Sequence, residues 1–184
     1  MGPGRPDRAV LEPLSMKPAR RGRGLTLIEL AITLAVMAVL ATLAVPGLGA
    51  RMDRQRLQGA AETLAADLAE ARFEAARRGA TLYVESADAA EGSAWCWAVA
   101  TSAGCNCSQP QACQVHTTRS ADHGGVRIRQ GINARLDPSG SVQASQPAIL
   151  EGSSGDRLRV EVSAAGRPRI CAEKGSWPRL PTCL

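Results

Sequence analysis

The chain has 184 residues, of which 45% are hydrophobic and 3% aromatic, and its formal net charge is +5. Once an N-terminal leader and membrane helix are set aside, this length excludes more than one modest domain. The few aromatic side chains exclude a core built mainly from rings, so we expect Val, Ile, Leu and Ala to fill it.

The positive charge is divided unevenly along the chain. Residues 1–24 carry six basic and two acidic side chains, a net +4. Residues 29–118 carry 6 basic and 9 acidic side chains, whereas residues 119–184 carry 10 basic and 6 acidic ones. Basic segments of this kind are typical of regions that contact nucleic acid or anionic surfaces. The C-terminal third is therefore a candidate binding region.

An apolar run of 21 residues extends from Leu25 to Val45 and contains a single charge, Glu29. A helix of this length rises by about 30 Å, which is the thickness of a bilayer core. The basic residues before the run predict a cytoplasmic N-terminus and a periplasmic C-terminal domain on an inner membrane. A secretory signal peptide is the alternative, but no small-residue cleavage site closes the run.

The segment Gly24-Leu25-Thr26-Leu27-Ile28-Glu29-Leu30 resembles the class III signal of type IV pilins and pseudopilins. The resemblance implies that a prepilin peptidase cleaves after Gly24 and methylates Leu25, although Phe or Met is more usual there. It also implies that Glu29, at mature position five, pairs with the free N-terminus of a neighbouring subunit. Met16 is an alternative to Met1 as the start, and would give a nine-residue leader of the length common in pilins.

The resemblance and the residue pattern together predict a pilin-like α+β fold, with one long N-terminal helix packed on an antiparallel sheet. Residues 1–24 are the leader, 25–46 the transmembrane and filament-core half of the helix, and 47–79 its amphipathic periplasmic half. Pro46 predicts a kink between the halves, and Gly79 predicts the helix end. In the second half, apolar residues recur at steps of three and four, which predicts one buried face: Leu57, Ala61, Leu64, Leu68, Ala71 and Ala75.

Residues 80–184 are predicted to form the β domain, with β-rich runs at 81–85, 94–99, 126–129, 134–137 and 157–162. In the last run, strict alternation puts Leu158, Val160 and Val162 on the core face. A three-residue loop then sets Glu161 opposite Arg169 on the returning strand. Pro168 predicts that this strand lies at a sheet edge, or that its nitrogen faces away from its partner.

Six cysteines behind an export signal predict disulfides. Cys171 and Cys183 would close the tail 171–183 onto the edge strand, with a chain-entropy gain of about 3 kcal/mol. Four more cysteines lie in or beside a Cys-rich loop, 101–125, and can pair in three ways among which the spacing does not choose: Cys96, Cys105, Cys107 and Cys113. A metal site with His116 and His123 is the weaker alternative, because the spacing lacks paired zinc knuckles. We expect no metal and no cofactor, and both histidines in a surface loop.

The segment Gly166-Arg167-Pro168-Arg169 is similar to the Gly-Arg-x-Arg motif near the C-terminus of FimT-like members of the GspH/FimT group of minor pilins. In that group the motif is implicated in binding DNA during natural transformation, which implies this role for Gly166, Arg167 and Arg169. Guanidinium forks match phosphate oxygens, so we expect sequence-independent binding to the backbone of double-stranded DNA. Further cations could extend the binding surface formed by Arg167 and Arg169 if their strands lie next to this hairpin: Arg127, Arg129, Arg157, Arg159, Lys174 and Arg179. The alternative is that Arg169 merely pairs with Glu161 and Arg167 is solvated.

The predicted function is therefore that of a minor type IV pilin for DNA uptake. The alternative is a GspH-like minor pseudopilin of a type II secretion system, or a structural minor pilin, without DNA binding. An enzyme with a small-molecule substrate is not expected, because neither a Ser/His/Asp nor a Cys/His constellation is apparent. The expected partners are other pilin or pseudopilin subunits, the prepilin peptidase, the inner membrane and DNA. The subunit would be held in the inner membrane before it is assembled into a pilus or pseudopilus.

Overall fold

The computed structural model describes residues 26–88, 94–175 and 177–183. One helix, α1, extends over Leu27–Arg78. It ends as predicted at Gly79, whose φ of 61° is a left-handed conformation that glycine adopts at little cost. Within the described residues, no helix combines the length and apolar character that a membrane crossing requires. The chain divides into two compact units, Met1–Thr42 and Leu43–Leu184.

The second unit is built around the predicted apolar face of α1. All six residues of that stripe are buried, and Ala60 is buried beside them. Four of the seven buried residues are alanines, which let the helix backbone approach the sheets closely. The predicted helix face is confirmed.

In the part of the chain that the structure describes, nine strands form two antiparallel sheets that share this core. The five-stranded sheet has the order β3-β2-β1-β5-β6, and the four-stranded sheet has the order β4-β7-β8-β9. The strand bounds are β1 Leu82–Asp88, β2 Trp95–Ala100, β3 Gln114–Arg119, β4 Val126–Gln130, β5 Asn133–Leu136, β6 Val142–Gln146, β7 Ala148–Gly152, β8 Arg157–Val162 and β9 Pro168–Lys174. The α+β class and the antiparallel pairing agree with the prediction.

A buried carboxylate ties the helix to the five-stranded sheet. Asp67, 6% exposed on α1, accepts hydrogen bonds at Oδ2 from Trp97 Nε1 (2.6 Å) and Thr118 Oγ1 (3.1 Å). Trp97 stacks on Trp95 with ring centroids 5.0 Å apart. The bonds satisfy polar groups that would otherwise be buried without partners, so they fix how the sheet meets the helix.

Three strands were not predicted. β3 lies inside the predicted loop 101–125, so this loop extends only to about residue 113 and the prediction is wrong beyond it. β3 and β6 are polar strands at the two edges of the five-stranded sheet, where an apolar face is not required and the alternation is weak. β7 is short and lies between Pro147 and Gly152, which read as turn signals in the sequence.

The Cys-rich loop covers the outer side of β2. Its two disulfides are Cys96–Cys107 and Cys105–Cys113. Cys96, Ala98 and Cys107 form a second small buried cluster, which explains why every residue of β2 is buried. The prediction of disulfides is confirmed, and the structure supplies the pairing that the spacing left open.

The predicted placement of the histidines in a surface loop is wrong for His116, which is exposed but lies on a strand, whereas His123 does lie in the loop before β4. His116 lies on β3, with Nε2 at 3.6 Å from Asp67 Oδ1. His123 is half-buried and stacks near Trp95 and Trp97, with centroid distances of 6.2 and 6.1 Å. Across the described residues, no three His, Cys, Asp or Glu side chains are grouped so that they could hold a metal ion.

Candidate functional site

The predicted arginine motif lies on the β8–β9 hairpin. The register places Glu161 opposite Arg169 and Val162 opposite Pro168, as predicted. The Ser163 N–H donates to Arg167 O at 3.0 Å, so the neighbouring pair at Pro168 is a non-hydrogen-bonded one. Pro168 therefore loses no ladder bond to β8, and β9 lies at the sheet edge. Both predicted ways of accommodating this proline occur together.

Gly166 is buried at the tip of this hairpin. Its φ is 71°, and a Cβ there would clash with the carbonyl oxygen of Gly140 and lie 2.8 Å from Cδ of Arg72. Arg72 Nε on α1 donates to that same Gly140 carbonyl at 3.0 Å, and Val142 N–H donates to Ala164 O at 3.1 Å. The hairpin tip is thus clamped between the helix and the β5–β6 turn. Only glycine fits at this position of the motif.

Arg167 and Arg169 are exposed. Within the described part of the chain, neither guanidinium forms an ion pair, although Glu161 stands opposite Arg169. The Arg167 N–H donates to Ser163 Oγ at 3.2 Å, which fixes the backbone and leaves the side chain free. Two unpaired cations therefore project next to a rigid loop.

Three neighbouring arginines are instead paired with carboxylates. Glu151 accepts a hydrogen bond from Arg129 Nη2 at Oε1 and one from Arg157 Nε at Oε2, both at 2.6 Å. Arg159 Nη2 donates to Glu173 Oε1 at 2.7 Å. The hydrogen bond from Arg129, followed in size by the one from Arg157, lowers the pKa of Glu151 to about 2. These arginines are partly neutralised, so they are weaker candidates for ligand contact than the sequence alone indicates.

The outward side of the four-stranded sheet, here called the outer face, collects most of these charges. The strand register puts them on neighbouring strands, opposite the core residues Leu158 and Val160. Its basic members are Arg127, Arg129, Arg157, Arg159, Arg169 and Lys174, and its acidic members are Glu151, Glu161 and Glu173. Basic side chains outnumber acidic ones two to one, so the face is electropositive.

The C-terminal tail is tied to the free edge of β9. Cys171 pairs with Cys183, the Ala172 N–H donates to Pro181 O at 2.8 Å, and the Cys183 N–H donates back to Ala172 O at 3.0 Å. Trp177 packs against the core, and Arg54 lies over its ring at 5.9 Å. Lys174, a member of the outer face, and Arg179 in the tied tail are both exposed.

At the other end of the chain, Glu29 takes part in a capping box. The Glu29 N–H donates to Thr26 Oγ1 at 3.3 Å, and the Thr26 N–H approaches Glu29 Oε2 at 3.5 Å. The side chain of Glu29 is therefore turned back towards the start of the helix. Gly24 and Leu25, the predicted processing residues, lie outside the described residues.

A long N-terminal helix with an antiparallel β domain defines the class of pilin-like filament subunits. A family model described as Type II transport protein GspH matches residues 60–166, and one described as Prokaryotic N-terminal methylation motif matches residues 19–45. The chain therefore belongs to the GspH family of minor pilins and pseudopilins. Such families are structural components of type IV pili or type II secretion systems, and not enzymes. No curated protein matches the chain. No solved structure matches it.

Proposed function

We propose that this protein is a minor type IV pilin that binds the backbone of double-stranded DNA through Arg167 and Arg169, for DNA uptake in natural transformation. The observation that carries the proposal is a pair of exposed guanidinium groups, without ion pairs in the described residues, beside a clamped loop. A loop that is already ordered loses little entropy when it binds, which favours affinity.

The chemistry of the contact is electrostatic. Guanidinium groups are planar, weakly hydrated forks that match phosphate oxygens. Contacts to phosphate carry no sequence information, so binding is independent of base sequence and falls steeply with salt. Lys174 and Arg179 are exposed and add long-range attraction, whereas Arg157 and Arg159 contribute less because carboxylates hold them.

The proposal includes the route by which the subunit reaches a filament. The prepilin peptidase cleaves after Gly24 and methylates Leu25, and the apolar run holds the subunit in the inner membrane with its β domain in the periplasm. The match to the methylation motif supports this route. Glu29, turned back towards the helix start, is well placed to meet the free N-terminus of a neighbouring subunit.

A second candidate is a minor pseudopilin of a type II secretion system that does not bind DNA. The description of the matched family favours it. In that case the outer face would be a protein contact or a solvated surface. Deleting the gene would then impair secretion and leave transformation frequency unchanged, whereas a DNA-uptake pilin would show the opposite.

Fluorescence anisotropy with a labelled duplex tests the proposal directly. The double variant Arg167→Gln, Arg169→Gln should lower the affinity and reduce the slope of log K against log salt by about 0.9 for each lost phosphate contact. The matched control is Arg119→Gln, Arg135→Gln, which removes two exposed arginines from the five-stranded sheet. Equal affinities for the two double variants at moderate salt would refute the proposal.

A further inference from the structure

We infer that a second line of charges on the outer face, made of Arg127, Glu151, Arg157 and Lys174, contacts phosphates across a groove through its end members Arg127 and Lys174, so that the face selects duplex over single-stranded DNA. This inference rests on the proposed function and extends it to the form of the ligand. The four residues are called the transverse row.

The strand register lines these residues up. Arg127 on β4 lies opposite Glu151 on β7, Glu151 lies opposite Arg157 on β8, and Arg157 lies opposite Lys174 on β9. The row therefore crosses all four strands of the sheet. With strands about 4.8 Å apart, its two ends are about 14 Å from each other.

The free positive charge of the row is at its ends. In the middle, the Glu151 carboxylate forms ion pairs with Arg157 and with Arg129, at 2.6 Å each. These three charges largely compensate one another. Arg127 and Lys174 are exposed and, in the described ranges, form no ion pair. They are thus the members of the row that can accept an anionic ligand without breaking an existing contact.

The surroundings of Arg127 are suited to a phosphate group. A cavity of about 210 Å³ is lined by Gly125, Arg127, Glu151, Gly152, Ser153 and Gly155. The exposed Ser153 adds a hydroxyl group, whereas the N–H groups of Gly152 and Gly155 already donate to Asp156 O and Gly152 O within the turn. A guanidinium group beside a hydroxyl group is a common way to hold phosphate oxygens, and the Glu151 carboxylate in the lining is neutralised by Arg129 and Arg157.

The distance between the transverse row and Arg169 matches a groove of DNA. On β8, Arg157 marks the row and Glu161 marks the level of Arg169, four residues away. At about 3.3 Å per residue, the two cationic lines are about 13 Å apart. The major groove of B-DNA is about 12 Å wide. Cations at this spacing can therefore meet phosphates on both sides of one groove.

The charges between the two lines disfavour a single strand. Arg159 lies between the lines but is paired with Glu173 at 2.7 Å, and Glu161 lies at the level of Arg169, directly opposite it. A single strand laid along the hairpin would bring its phosphates over these carboxylates. A duplex that spans the gap with a groove would keep its phosphates near Arg169 at one side and near Arg127 and Lys174 at the other, and away from the paired charges between them. This arrangement is the physical basis of the selection.

The test uses the full chain in a mild non-ionic detergent, with labelled duplex and single-stranded DNA of equal length. The variant Arg127→Gln, Lys174→Gln should weaken duplex binding by about fivefold or more and lower the salt slope by about 0.9 per lost contact. Binding of the single strand should change little. Arg119→Gln, Arg135→Gln is again the matched control, and thermal unfolding of each variant checks that the fold is retained.

The outcomes separate the two proposals. If the wild-type protein binds neither DNA form, the proposed function itself fails. If the wild-type protein binds duplex and loses it in Arg167→Gln, Arg169→Gln but not in Arg127→Gln, Lys174→Gln, only the transverse row is refuted. An equal loss of duplex and single-strand binding in the latter variant would refute the selection for duplex.

Discussion

At the scale of single residues, Gly166 shows why the motif begins with glycine. The absence of a side chain lets the hairpin tip touch Gly140 and Arg72. A side chain at this position would meet both a left-handed backbone conformation and a steric clash.

Gly166→Ala should therefore destabilise the protein by about 3 kcal/mol, the upper end for a strained backbone position, because the backbone of Gly140 must also shift. Gly155→Ala is the matched control, since Gly155 has a φ of 80° but nothing within 4 Å of its Cβ position. That variant should lose only about 1 kcal/mol. Urea unfolding followed by tryptophan fluorescence measures both, and equal losses would contradict the account of the clamped tip.

A second prediction at this scale concerns Glu151 and the pH dependence of the free energy of unfolding. Its pKa is lowered from 4.5 to about 2 by the hydrogen bonds from Arg129 and Arg157. A depressed pKa in the folded state contributes stability above pH 4.5, and this contribution is lost as the pH falls towards 2. The pKa of Glu74 is also lowered to about 2, by Arg77 and Arg78, so the wild-type protein carries two such contributions.

Glu151→Gln should reduce the urea midpoint at pH 7 and flatten its decline between pH 4.5 and pH 2. Stability curves of variant and wild type should converge near pH 2, where the wild-type carboxyl group is protonated as well. Glu161→Gln, which removes an outer-face carboxylate without an ion pair in the described residues, is the control and should keep the midpoint at pH 7. Parallel curves for Glu151→Gln and wild type would contradict the prediction.

At the scale of elements, the fold depends on how α1 is fastened to the five-stranded sheet. Apolar burial draws the helix onto both sheets but is not directional. Directional contacts come from Arg72, which holds the β5–β6 turn, and from Asp67, which holds Trp97 of β2 and Thr118 of β3. These hydrogen bonds link positions 30 to 68 residues apart, so no local pattern in the sequence indicates them.

Asp67→Ala should cost about 1 to 3 kcal/mol, because the buried indole N–H of Trp97 loses its acceptor. Asp67→Asn keeps an oxygen acceptor and should cost less. The unfolding free energy gives the difference, and a red shift of tryptophan emission in Asp67→Ala would report water near Trp97. A stability of Asp67→Ala equal to that of Asp67→Asn would show that the hydrogen bonds are not the stabilising contact.

Elements differ in how far they could be predicted. Apolar residues recur with a period of about 3.6 in the helix stripe and of 2 in β8, because each element packs one face on the core. The sequence therefore predicts both elements closely. The β8–β9 register followed from the loop length and the alternation. β3 and β6 are edge strands with polar sequences, and their hydrogen-bonding partners, not their side chains, make them strands.

At the scale of the whole molecule, acidic and basic charges are separated between the halves of the sequence. The segment 29–118, with excess acid, supplies α1 and most of the five-stranded sheet, whereas the basic segment 119–184 supplies the entire four-stranded sheet. The uneven distribution of charge along the chain therefore gives the four-stranded sheet a more positive net charge than the five-stranded sheet.

The proposed processing gives a prediction for the whole chain. When it is produced in cells that contain a prepilin peptidase, its mass should equal that of residues 25–184 with one added methyl group and with three disulfides formed. Gly24→Ala should remain uncleaved and should not enter filaments, as measured by intact-mass spectrometry and filament purification. Full processing of Gly24→Ala, or a wild-type N-terminus other than Leu25, would contradict the proposed cleavage site.

The sequence by itself determined what depends on neighbouring residues: the signal segment, the amphipathic helix and its end, the β8–β9 hairpin and the arginine motif. Apolar periodicity, turn geometry and local charge depend on only a few consecutive residues, so they can be predicted from the sequence. Only the tertiary structure decided which cysteines pair, which arginines are held by carboxylates and which are free, and why position 166 must be glycine. These outcomes depend on contacts between distant segments, whose distances are set by packing the two sheets on one helix.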